Sequence, residues 1–78
     1  MTQNKYTYLA VIQQNYGFGW EDNSEYQITS SGKPLEFTDK INKLGRKISL
    51  LKHDYNEYVL TGYPTRIINR KQLNNNNQ

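Results

Sequence analysis

Ile41, Leu44, Ile48, Leu51, Tyr55, Tyr58 and Val59 recur at intervals of three and four, and that spacing constrains the fold more than any other feature of the chain. Side chains so spaced fall on one side of an α-helix, so the pattern predicts one amphipathic helix over about residues 39–61, its stripe turned to a core. Thr38 or Asp39 stands where a side-chain oxygen can satisfy the free N–H groups of a helix start. Gly62 with Pro64 beyond it marks the stop. Gly45, inside the stripe, costs roughly 1 kcal/mol relative to alanine, so it either weakens the helix or admits a close backbone.

A single helix cannot bury its own stripe, and the rest of the chain offers strands. Residues 6–13 are β-branched and aromatic with no Gly or Pro, and Tyr6, Tyr8, Ala10 and Ile12 alternate with Thr7, Leu9, Val11 and Gln13. Both faces are largely apolar, which predicts a central strand. Residues 65–70 predict another, and a parallel arrangement of the two through the helix would make a right-handed β-α-β path. Ser30-Ser31-Gly32-Lys33-Pro34 is a turn, and a hairpin joining residues 25–30 to 35–38 is the preferred reading. Ser24 to Gln27 also has the form of a capping box, so a short first helix is the alternative. The expected class is α+β: a small sheet of two to four strands packed on one amphipathic helix, in a single domain over residues 1–73. The polar run at 74–78 has nothing to bury and is expected to be disordered.

A domain of 78 residues buries only about 60% of the surface its unfolded chain exposes. Without cysteine it has neither disulfides nor thiolate metal sites, so self-association into a dimer is the expected remedy. The first residues lack the apolar run of a signal peptide, and no stretch approaches the roughly 20 apolar residues of a membrane span, which points to the cytoplasm. Charge is unevenly spread: residues 1–39 carry Lys5 and Lys33 against five acids, net −3, and residues 40–78 carry eight bases against Asp54 and Glu57, net +6. Such asymmetry suits a basic face for nucleic acid or an acidic protein, or a solvated surface.

No catalytic constellation emerges. His53, the only histidine, falls off the apolar stripe with Asp54 on another side, which reads as a surface residue. Glu21 and Asp22 are adjacent, and adjacent side chains seldom converge on one substrate atom. Gly17-Phe18-Gly19 is too short for a phosphate-binding loop. Neither an enzyme, a cofactor nor a metal is expected. Recognition chemistry remains. Tyr16, Phe18 and Trp20 lie two apart, so an extended backbone projects all three to one side, with Glu21 and Asp22 following; these five are the candidate partner-binding residues. The competing reading makes Trp20 and Phe18 part of the core and leaves Tyr16 as the exposed member. The candidate basic face comprises Lys43, Arg46 and Lys47 on the helix flank with Arg66, Arg70 and Lys71 at the last strand. Arg66 and Arg70 share a strand face with Ile68, where each can bind phosphate or carboxylate bidentately or pair internally with Glu21, Asp22 or Glu25.

Two stretches, Gln13-Gln14-Asn15-Tyr16-Gly17-Phe18-Gly19-Trp20-Glu21-Asp22 and Tyr63-Pro64-Thr65-Arg66-Ile67-Ile68-Asn69-Arg70, resemble a group of short uncharacterised bacterial and bacteriophage proteins. Those proteins carry a Tyr-Gly-x-Gly-Trp-Glu-Asp run, a basic helix and a closing Tyr-Pro-x-Arg-Ile-Ile strand. They pass almost directly from the acidic pair to the helix, whereas residues 27–37 here add turn-forming and strand-like residues. The resemblance implies a mobile-element origin and a core of two strands and a helix. With the absence of a catalytic set, it leads to the expectation of a small phage- or prophage-type interaction protein that binds, and can inhibit, a host protein or ribonucleoprotein complex, as anti-CRISPR and nuclease-inhibitor proteins do. A nucleic-acid-binding accessory protein is the alternative.

Overall fold

The computed structural model describes residues 5–73, and the expected polar tail at 74–78 lies outside them. The elements run β1 (Tyr6–Asn15), β2 (Trp20–Ile28), β3 (Phe37–Ile41), β4 (Lys47–Ser49), α1 (Leu50–Val59) and β5 (Thr65–Leu73). β1, apolar on both faces, takes the centre of a three-stranded sheet of order β2-β1-β5, and β3 and β4 pair as a separate two-stranded arm. The class is α+β, as the sequence predicts, with five strands where two to four were expected.

Both neighbours of β1 run antiparallel to it, Tyr8 lying opposite Ile28 on one side and Lys71 on the other. The expected parallel pairing of the first and last strands is therefore corrected. The tight turn between β1 and β2 reverses the chain before it reaches the helix, so the crossover through α1 joins β2 to β5 and skips the central strand. A bulge at Asn23, between the pairs Ile12–Ser24 and Gln13–Asp22, inserts one residue into β2. Such an insertion changes which face the following side chains take.

Nor is residues 25–38 a hairpin or a short helix. β2 stays paired to β1 as far as Ile28, and the turn closes through Thr29 N–H on Lys33 O at 2.9 Å, with a single bridge, Ile28–Pro34, beyond it. Phe37 then joins β4 at Ser49.

The expected helix over 39–61 is shortened by half. Ile41, Leu44 and Ile48 belong to the β3–β4 arm, and the helix begins only at Leu50, capped by Ser49, whose hydroxyl accepts from Lys52 N–H at 3.2 Å. Thr38 and Asp39 do not cap it; the Thr38 hydroxyl donates to Ile48 O across the arm. What breaks the helix is Asn42: its side-chain oxygen accepts from Leu44 N–H at 2.8 Å and Arg46 N–H at 3.1 Å, offering the backbone a turn in place of helical bonds. Gly45 completes that turn at φ +78°, a left-handed conformation closed to a helix. The stop falls as expected, with Gly62 at φ +89° and its N–H on Val59 O.

α1 lies over the sheet face carrying Ala10, Ile12, Tyr26 and Ile28, which with Val11 are the buried apolar residues. No residue of α1 is itself buried; Leu51, Tyr55 and Tyr58 are half-buried. Among the described residues no element covers the opposite face, and the molecule measures only 17 Å along its thinnest axis. Among the described residues no helix is long and apolar enough to cross a membrane.

Candidate interaction surface

The β1–β2 turn is built by Asn15, whose side chain accepts from Gly17 N–H at 2.8 Å while its own N–H reaches Pro64 O at 3.1 Å. Gly17 and Gly19 sit at φ +106° and +107°, which abolishes the extended geometry needed for alternate side chains to share a side. The three aromatics consequently diverge, correcting the expected single platform. Tyr16 goes to the helix side, where its ring meets Tyr63 edge-on at 4.7 Å between centroids. Trp20 goes to the open face beneath the Arg66 guanidinium, 4.1 Å from the ring centroid. Phe18 remains at the tip, 92% exposed, so it and not Tyr16 is the outermost of the three.

Tyr16 is anchored by Gln14, whose side chain is 1% exposed. The Gln14 amide donates to Tyr58 O (2.9 Å), Thr61 Oγ1 (2.9 Å) and Thr65 Oγ1 (3.1 Å), tying the end of α1 and the start of β5 to the central strand. Its oxygen accepts from the Tyr16 hydroxyl and from Asn23 Nδ2, each at 2.7 Å. The bulge thus brings Asn23 back to the helix side, while Asp22 passes to the other.

On the open face a chain of polar contacts crosses all three strands. Arg66 Nε donates to Gln13 Oε1 at 2.8 Å, Gln13 Nε2 to Asp22 Oδ1 at 2.7 Å, and Arg70 Nη1 to Asp22 Oδ2 at 2.8 Å, with Glu25 3.7 Å from the same nitrogen. The hydrogen bonds from Arg70 and then Gln13 hold the Asp22 carboxyl below its ordinary pKa, and the same contact raises that of Arg70. Val11, fully buried, lies under this layer. Glu21, opposite Gln14 in register, is exposed and stands apart from Asp22 on the strand.

Arg66 and Arg70 are accordingly engaged within the fold, Arg70 with two of the three acids expected as internal partners and Arg66 with Trp20 and Gln13. Lys43, Arg46 and Lys47 lie on the arm, not on a helix flank, and Lys71 sits over the Tyr6 ring at 4.1 Å. The candidate basic face is thereby divided.

His53 does meet Asp54, Nδ1 to Oδ1 at 3.2 Å, contrary to the expectation that the two diverge, and its Nε2 lies 3.5 Å from Lys40 Nζ. The other Asp54 oxygen accepts the Tyr26 hydroxyl. Burial, and next the hydrogen bond to Asp54, push the Tyr26 phenol up to about 12. Both His53 and Asp54 side chains remain about a third exposed, at 31% and 32%. Among the described residues no group of three or more His, Asp or Glu is placed to hold a metal ion.

Sequence reasoning missed Gln14, Gln13 and Tyr63. The available signal was the Gln13-Gln14 pair ending a strand otherwise apolar on both faces, since buried amides need partners. No protein-family model matches the chain, and no curated protein or solved structure matches it significantly.

Proposed function

We propose that this chain is a non-catalytic interaction protein of the small phage or prophage type, which binds a host protein complex through the turn end of its sheet and can inhibit that complex by occupying its surface. The observation that carries the reading is Phe18. A phenylalanine 92% exposed between two left-handed glycines, on a turn where Asn15 accepts from Gly17 N–H, is an apolar side chain held out in water. Aromatic anchors dominate the energy of many protein interfaces. Tyr16 and Tyr63 on the helix side, and the exposed Glu21, supply the rim around it. The phage or prophage assignment rests on the resemblance in the flanking sequence. A dimer belongs to the same reading, because the described residues bury only five apolar side chains.

Affinity capture from bacterial lysate tests it, with wild type, Phe18→Asp and Glu21→Lys as baits. A stoichiometric partner bound by wild type and lost with Phe18→Asp is the expected result. Identical capture by all three baits would reject this surface.

A further inference from the structure

From Lys40 to Lys52 the chain carries Lys40, Lys43, Arg46, Lys47 and Lys52 and not one acid. The fold places this run on the β3–β4 arm and the first turn of α1, where Asp39 is the one acid within the arm's two strands and their turn. Lys43, Arg46, Lys47 and Lys52 are exposed and make no ion pair among the described residues, unlike Arg70. Concentrated positive charge without internal partners leaves a local excess that attracts polyanions. Asn42 closes the arm's turn through Leu44 N–H and Arg46 N–H, which sets Lys43 and Arg46 side by side at its tip.

Beside these charges lies a groove of about 350 Å³ lined by Phe37, Asn42, Lys47, Lys52 and Asn56 among others. Phe37 is half exposed within it, at 54%. A polyanion of carboxylates needs no aromatic wall; a strand of nucleotides offers phosphates to the lysines and a base to the ring, and its unpaired bases are free to stack. Phe37, Lys47 and Lys52 thus supply both kinds of contact in one depression. We infer that the β3–β4 arm and the start of α1 form a binding site for single-stranded nucleic acid, with phosphates along Lys43, Arg46, Lys47 and Lys52 and a base against Phe37. This surface is separate from the Phe18 turn, and it holds or fails independently of the partner proposed there.

Fluorescence anisotropy with a labelled single-stranded oligonucleotide of about 12 residues tests the site. Neutralising four phosphates predicts that affinity falls roughly 50-fold between 50 and 200 mM salt. Lys43→Glu with Arg46→Glu abolishes binding at 50 mM salt, whereas Lys5→Glu with Lys71→Glu, an equal change of net charge outside the arm, leaves it within about threefold. Phe37→Ala weakens binding roughly 5- to 100-fold. Circular dichroism and Trp20 emission confirm that each variant is folded. No binding by wild type at 50 mM salt, equal losses in the two charge-reversed pairs, or unchanged binding by Phe37→Ala would overturn the inference. So would equal affinity for a duplex of the same length or for a polyglutamate peptide, since either shows a surface that reads charge alone.

Discussion

Replacing Gln14 by leucine tests whether the fold is held by a buried amide. Four bonds are at stake, because the two amide protons are shared among three oxygens and the carbonyl accepts two donors. At about 1 kcal/mol net for each, their loss costs about 4 kcal/mol. Only the Tyr16 hydroxyl loses its acceptor, on a residue 38% exposed to water. Thr61 Oγ1 still donates to Tyr58 O at 2.6 Å, Thr65 Oγ1 to Tyr63 O at 2.8 Å, and Asn23 Nδ2 to the Tyr16 hydroxyl at 2.7 Å. A leucine in the same space returns about 2 kcal/mol of apolar burial. The net destabilisation is therefore about 2 kcal/mol, which for a domain of this size lowers the melting temperature by roughly 8–16 °C.

Thermal unfolding by circular dichroism and urea unfolding followed by Trp20 emission measure it, with an unchanged urea slope showing that the transition stays two-state. Gln14→Glu is the informative companion. A carboxylate at a site 1% exposed loses the donors that reach Tyr58 O, so its pKa rises on folding and its charge is unfavourable. Relative to wild type, that variant should be least damaged near pH 4 and progressively worse toward pH 7. A Gln14→Leu protein melting within about 2 °C of wild type would refute the reasoning and return the credit for cohesion to the apolar core.

Gly17→Ala and Gly19→Ala each cost about 1–2 kcal/mol in urea unfolding, from backbone strain alone, because an added Cβ meets no atom within 4 Å at either position. Asp22 contributes stability above the ordinary carboxylate range that is lost as pH falls below it through the depressed folded value; Asp22→Asn should flatten the acid limb of the pH–melting curve. Tyr26 acts at the other end, where its raised pKa contributes stability present below pH 10 and lost between the ordinary 10.0 and about 12. Tyr26→Phe should remove that alkaline loss and lower stability at pH 7 by about 1.5–3 kcal/mol, the worth of a hydrogen bond to a charged acceptor.

The parts of the fold legible in sequence are those in which one periodicity excluded the other. β1 shows apolar residues on both faces over eight positions, a pattern that fits a central strand, and Gly62-Tyr63-Pro64 ends a helix on backbone grounds alone. Ile41, Leu44, Ile48 and Leu51 misled because their spacing satisfies a helix while Ile41 and Ile48 also suit a strand, and the choice was made by Asn42 and Gly45. Asparagine competes with helical bonds through its own side chain, so those two positions weighed more than the stripe. The pairing of Arg70 with Asp22 and Glu25 was among the alternatives that charge suggested. Gln14 was not visible, since a glutamine has no periodic signature and its five contacts come from residues 2 to 51 positions away. The divergence of the aromatics was hidden for a related reason: left-handed glycines cancel the alternation that a two-residue spacing implies.

Buried amides stand in for part of the apolar core here. Phe18, Ile41, Leu44 and Leu60 are each more than half exposed, while two of the seven buried residues among those described are glutamines that add orientation more than apolar burial. A sheet that the described residues cover on one face only, with an arginine and carboxylate layer on the other, gains register from directional contacts and leaves much apolar surface exposed. Whatever binds the folded chain then stabilises it by mass action, about 2.7 kcal/mol at a hundredfold excess over the dissociation constant, which is comparable to the loss expected for Gln14→Leu. Binding to the Phe18 turn should for that reason rescue the melting temperature of the Gln14→Leu protein, provided the turn keeps its shape once Tyr16 has lost its buried anchor. Failure of rescue with an intact arm would mean that Gln14 positions the proposed Phe18 surface as well as the helix, because only the former depends on the Tyr16 contact.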